Sequence, residues 1–195
     1  MKKLIIIIIA VWSVVGSLSA QTIKQIFQTL PDTILPSLTK NDRLDLIDLF
    51  ENNMSNEVNN QLRGKSRMTH LDDNLTKIRL SELTEVQLCR LATPTSYLIC
   101  LIHSVKTDAW DSTIRFYNPD WTLNSKTTIL NTQRSTPNAQ LSFTHLDFTN
   151  DTTLQLNTEA PTLTTLPVKE TPEYASKGSQ EVSLNWDSAQ SRFVP

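Results

Sequence analysis

Apolar residues recur along this chain with two different periods. Ile23, Ile26, Phe27 and Leu30 are spaced as one face of a helix, Thr22 and Gln25 fit a capping box at its start, and Pro31 stops it. Thr39 with Asp42 repeats the capping signal, and Leu44, Ile47, Phe50 and Met54 continue a second helical stripe, with Asp45, Asp48 and Glu51 on its wet side. The acidic first turn suits the helix dipole. This helix is predicted to end near Asn53, where Asn53, Asn56, Asn59 and Asn60 begin to favour turns over helix.

Further on, the period shortens. The stretch from Leu75 to Trp121 carries the densest strand signals, and the other segments read as packed on it or leading away from it. Thr84 to Leu91 and Ser96 to Val105 are rich in Leu, Ile, Val, Thr and Tyr and flank Thr93-Pro94-Thr95, which predicts a hairpin. With its turn between Pro94 and Thr95, Leu91 faces Leu98 and Cys89 faces Cys100. Tyr97, Ile99 and Leu101 alternate with Leu98, Cys100 and Ile102, so this strand is apolar on both faces and is predicted to be covered on both. Asp111 to Tyr117 alternates as a half-exposed strand and ends at Asn118-Pro119-Asp120. Met68 to Leu71 reads as a short strand before the turn Asp72-Asp73-Asn74.

Beyond Trp121 the chain turns to Thr, Asn and Ser, with strands predicted at Ala139 to Phe148, Thr152 to Asn157 and Glu181 to Trp186. The last leads through Asp187 to Gln190 into a hairpin with Arg192 to Val194, and Pro161 to Gly178 reads as a loop. The expected class is α+β: two N-terminal helices packed on a mainly antiparallel sheet, with a β-rich C-terminal half. Residues 21–121 are expected to form the helix pair and sheet, and 122–195 the β-rich half, either as a separate unit or as part of the same domain. WDSTIRFYNP at 110–119 is echoed by WDSAQSRFVP at 186–195, a short repeat that coincidence explains better than duplication does.

The N-terminus changes the expected compartment. Lys2-Lys3, an apolar run from Leu4 to Val15 and the small residues around Ser19-Ala20 have the order of a secretory signal peptide over residues 1–20, cleaved after Ala20 or Ser19. The run is shorter than the roughly 20 apolar residues of a membrane span, so the mature chain is expected to lack a transmembrane anchor and to be periplasmic or on the cell surface. Losing Lys2 and Lys3 leaves 16 of 18 basic residues against 20 acidic ones, a net charge of −4 that argues against nucleic acid. Export makes a Cys89–Cys100 disulfide permissible, and two buried thiols are the competing reading.

Several chemistries find no support. After residue 20 the only glycines are Gly64 and Gly178, so no phosphate-cradling loop or nucleophile elbow can be written. His70, His103 and His145 lie far apart without metal-ligand spacing; His103 reads as a core or edge histidine, and no metal, cofactor or catalytic residue is assigned. The acidic pairs Asp45 with Asp48 and Asp72 with Asp73 read as a helix surface and a turn, but they leave open a hydrolase of envelope or dietary polymers. Trp110, Tyr117, Trp121 and Trp186 fall around the two echoing segments, where they read either as caps on the core or as an aromatic rim that binds a glycan or protein. The leading expectation is a non-enzymatic envelope or surface protein with a protein or glycan partner.

LPDTILPSLTKNDRLDLIDLFENNM at 30–54, NNQLRGKSRM at 59–68 and DSTIRFYNPDW at 111–121 resemble a family of exported Bacteroidales proteins known only as a domain of unknown function. The resemblance implies a secreted or periplasmic α+β protein and carries no site residues. The order of helices and strands in the first half is also similar to the β-lactamase-inhibitor protein, in which a helix pair precedes a four-stranded sheet and the unit repeats. Asp-Ser and Asp-Thr triplets place Thr33, Ser112, Thr152 and Ser188 in a pattern that resembles the O-glycosylation acceptor of exported proteins from that phylum. The same dipeptides are also good turn and cap formers.

Overall fold

The computed structural model describes residues 21–107, 109–127, 143–159 and 180–195. The segment expected as a signal peptide, the loop expected over 161–178 and the first residues of the strand expected from Ala139 lie outside them. Two helices come first, α1 (Ile23–Thr29) and α2 (Lys40–Glu51). Both begin with the predicted capping boxes: Gln25 Oε1 accepts the Thr22 amide at 3.0 Å, and Asp42 Oδ2 accepts the Thr39 amide at 2.7 Å. The face of α2 differs from the predicted stripe. Arg43, Leu46 and Ile47 are buried, with Phe50 packed beside them, while Leu44 and Met54 are exposed. Ile47 and Phe50 keep their predicted place, while Arg43 and Leu46 take the positions expected of Leu44 and Met54.

Six strands follow in a simple antiparallel meander: β1 (Glu57–Asn59), β2 (Lys65–Leu71), β3 (Leu75–Ser81), β4 (Thr84–Ala92), β5 (Tyr97–Lys106) and β6 (Trp110–Tyr117). β2 starts at Lys65 rather than Met68, and β1, too short and polar to show a period, was not expected. The β4–β5 register is the one the Pro94 turn dictates, with Leu91 opposite Leu98 and Cys89 opposite Cys100. A second antiparallel sheet, in the order β10-β9-β8-β7, is built from β7 (Phe143–Phe148), β8 (Thr153–Glu159), β9 (Gln180–Asp187) and β10 (Arg192–Val194). The echoed segments occupy unlike places, since Trp110 opens β6 whereas Trp186 stands near the end of β9.

The large sheet is thus the middle of three layers. Ile78, Val86, Leu88, Ile99 and Leu101 pack under Ile23, Ile26, Phe27 and Leu46 on the helix side. Leu75, Cys89, Leu91, Cys100, Ile102 and Phe116 pack against Leu146, Phe148, Leu154, Leu184 and Phe193 of the second sheet. This double burial is why β5 is apolar on both faces.

The second sheet is fastened through the free edge of β7. Thr149 donates to the Thr153 carbonyl, so odd-numbered β7 residues bond to β8 and the even-numbered amides point away from it. Side chains of the large sheet take those amides: Asp111 Oδ1 accepts from Thr144 at 3.4 Å, Ser112 Oγ from Leu146 at 3.0 Å and Gln87 Oε1 from Phe148 at 2.9 Å. Gln87 Nε2 returns a bond to the Leu146 carbonyl at 3.4 Å. An edge that would otherwise pair with another chain is satisfied by side chains instead.

Candidate functional site

The helix layer covers only part of the large sheet. α1 lies over β3 and β4 and α2 over β1 and β2, while Tyr117 and Trp121 pack together at one end of β6, with ring centroids 5.7 Å apart. At the other end of β5 and β6 the face is left open, and there a groove of about 370 Å³ is found. Its floor is Leu80, Val86 and Leu101; one wall is the connector Ile34 to Ser37, and the exposed Leu62 also lines it. Polar groups gather along the side formed by β5 and β6: His103, Thr113 and Arg115.

Both walls are held from beneath. Asn60, buried, donates to Ser66 Oγ at 2.9 Å and to the Leu80 carbonyl at 2.8 Å, and its Oδ1 accepts the amides of Leu62 and Gly64 at 3.0 Å each. That network sets the loop carrying Leu62, with Arg63 in the left-handed region at φ 61°. The Gln61 amide donates to the Ser37 carbonyl and joins loop to connector. The connector is tied by Arg43, whose guanidinium donates to the Leu30 and Leu38 carbonyls at 2.6 Å each and to Asp32 at 2.9 Å.

The groove carries positive charge next to apolar surface. Burial, and then the neighbouring Arg115 charge, hold His103 below the usual histidine pKa, so its imidazole is neutral at pH 7. Arg115 is exposed and has no carboxylate partner among the described residues. Ser37 Oγ is buried and lacks a hydrogen-bond partner among the described residues. Among the described residues, no carboxylate lines the groove.

A second cleft, of about 410 Å³, does carry acids: Glu51, Asp72 and Asp73 together with Lys24 and Thr22. Glu51 is paired with Lys24 at 2.7 Å. Burial would raise the Asp72 pKa, but the hydrogen bond with His70 at 2.8 Å and the amides of Asn74 and Leu75 outweigh it and hold the carboxyl below its usual value. A carboxyl held ionised is a poor proton donor, whereas a glycosidase acid needs the opposite shift. Asp45 and Asp48 lie on the exposed side of α2. Among the described residues, no group of three His, Cys, Asp or Glu converges as a metal site.

The four aromatics singled out from the sequence are separated. Trp110 faces the second sheet and stacks on His145 at 5.3 Å, with Lys106 Nζ 5.9 Å from its ring. Tyr117 and Trp121 belong to the helix-side core. Trp186 lies edge-on to Phe193 at 5.1 Å and donates Nε1–H to the Ala92 carbonyl at 2.6 Å. They form no common platform.

Cys89 and Cys100 are both free in this structure and buried between the sheets, and Cys89 Sγ donates to the Asp151 carbonyl at 3.2 Å. Burial pushes both thiols well above their usual pKa, so neither is a ready nucleophile. Thr33, Thr152 and Ser188 are exposed. Ser112 departs from the expected glycan acceptor, because its hydroxyl is bonded to Ser104 at 2.8 Å and accepts the Leu146 amide inside the joint between the sheets.

Sequence reasoning missed Arg115, Leu62 and Ser37 as groove residues. The available signal was Thr113 and Arg115 on alternate positions of β6, polar on the same face where β5 offers Leu101.

A family model described as "Protein of unknown function (DUF3256)" matches residues 15–190. Among solved structures, the chain is similar to a domain of an uncharacterized protein from Porphyromonas gingivalis W83, at 18% identity and a TM-score of 0.62, covering 90% of this chain and 98% of that one. At that identity the likeness concerns the fold. No curated protein matches the chain.

Proposed function

The chain belongs to the DUF3256 family, whose description assigns no activity, and we propose that it is an exported, non-enzymatic binding protein of the cell envelope with its ligand site in the groove between Leu62 and Arg115. The observation that carries this reading is an exposed guanidinium, unpaired among the described residues, at the side of an apolar groove about 370 Å³ in volume. Such a size is ordinary for a ligand site, and a few placed polar groups on an apolar lining are its usual chemistry. Hydrolysis of a polymer is less well supported, because no carboxylate among the described residues lines the groove and Asp72 in the acidic cleft is shifted the wrong way for a proton donor.

The test is a comparison of variants. Leu62→Asp and Arg115→Glu are expected to abolish retention of whatever native-host envelope component the unmodified protein retains. Met54→Asp, at an exposed position beyond the C-terminal end of α2, should leave it unchanged. Retention by all three variants would overturn the assignment of the groove.

Export bears on the cysteines. Cys89 and Cys100 form a hydrogen-bonded pair in the ladder, as the Thr93 amide bond to the Ser96 carbonyl fixes the alternation, and opposed Cα atoms in such a pair are about 5.5 Å apart. That is within reach of a disulfide. Protein purified from the native host without reductant is expected to titrate no thiol after unfolding, and Cys89→Ser with Cys100→Ser to lower stability by roughly 3 kcal/mol for a loop of about 12 residues. Two titratable thiols would remove the disulfide from the proposal.

A further inference from the structure

We propose that the ligand of the groove is an alkyl carboxylate, with its headgroup on Arg115 and its chain laid over Leu101, Val86 and Leu80 beside Leu62; this rests on the groove being the binding site. The headgroup follows from charge. An exposed guanidinium offers a forked set of donors that match a carboxylate, and no side chain among the described residues occupies them. The neighbouring His103 and Thr113 can add hydrogen bonds, and no acid among the described residues lines the groove to repel an anion.

The body of the ligand follows from the floor. Leu80, Val86 and Leu101 belong to β3, β4 and β5, inner strands of the sheet whose amides and carbonyls are spent on their neighbours. The floor therefore offers side chains but no free strand edge. A peptide laid there would bury its own amides and carbonyls with few partners, a cost of about 1–3 kcal/mol for each unmatched group. A sugar would meet the same shortage and no exposed aromatic face, since no Trp, Tyr or Phe among the described residues lines the groove. An alkyl chain has no such demand, and the groove is open enough to accept its far end leaving into solvent.

Decanoate, decanol and an acetylated tripeptide ending in a free Leu carboxylate separate these possibilities by titration calorimetry. The protein is expected to bind decanoate with a Kd below about 100 μM, decanol at least tenfold more weakly, and the tripeptide more weakly still. Arg115→Gln should weaken decanoate at least tenfold and leave decanol unaffected, whereas Leu62→Ser should weaken both. Both side chains are exposed, so unchanged thermal midpoints will show that the variants fold. Equal binding of decanoate and decanol, a tighter tripeptide, or an Arg115→Gln protein that binds decanoate normally would each overturn the ligand assignment. If decanoate fails while Leu62→Asp still abolishes retention of the envelope component, the groove stands with a different ligand; if neither responds, both readings fall.

Discussion

Replacing Arg43 by alanine is expected to lower the unfolding free energy by about 3–5 kcal/mol, as much as truncating a buried core side chain. Arg43 is 2% exposed, yet it belongs to the first turns of α2, between Asp42 and Leu44. Its guanidinium reaches back across the helix to the Leu30 carbonyl at the end of α1 and the Leu38 carbonyl just before the cap of α2. Truncation strands two carbonyls, each costing about 1–3 kcal/mol, and leaves the volume of the largest fully buried side chain empty. The ion pair with Asp32 is a minor part, because that carboxylate is 62% exposed. Asp32→Ala should therefore cost less than about 1 kcal/mol, and Arg43→Lys, which cannot fork to both carbonyls, should fall between. Urea unfolding of the three variants checks the ordering. An Arg43→Ala loss below about 1 kcal/mol would show that the connector holds without it.

The second large effect is expected at the joint between the sheets. Gln87→Leu preserves the bulk and apolar contact of a residue that is 1% exposed, but it removes the acceptor of the Phe148 amide and the donor to the Leu146 carbonyl. The loss should be about 2–4 kcal/mol, from two groups left unmatched in a buried interface. It should be local in character: amide exchange in β7 and β8 is expected to quicken well before exchange in β4 and β5, since the large sheet keeps its helix-side core. Ser112→Ala removes the acceptor of the Leu146 amide and should produce a weaker version of the same pattern. A uniform change in exchange across both sheets would mean that the joint does not open separately.

Local chemistry alone determined much of this fold. The capping boxes at Thr22 and Thr39 and the stop at Pro31 place both helices, because cap and helix are within hydrogen-bonding reach along the chain. Pro94 fixes the turn and hence the register, so Cys89 opposite Cys100 could be read from one hairpin. The apolar run in β5 announced two covers, since a strand wet on either face would alternate.

Tertiary packing decided the rest. The buried face of α2 depends on where the sheet meets it, and the sequence stripe through Leu44 and Met54 pointed partly into water. Gln87, Ser112 and Asp111 look like ordinary polar strand residues until β7, more than 30 positions along the chain, brings its free amides to them. The groove is the clearest case. It exists because two short helices leave part of a six-stranded face bare, and it joins Ser37, Leu62, Leu101 and Arg115 from four separate segments. No periodicity or motif encodes that meeting, because the spacing of those residues along the chain has no relation to their distance in space.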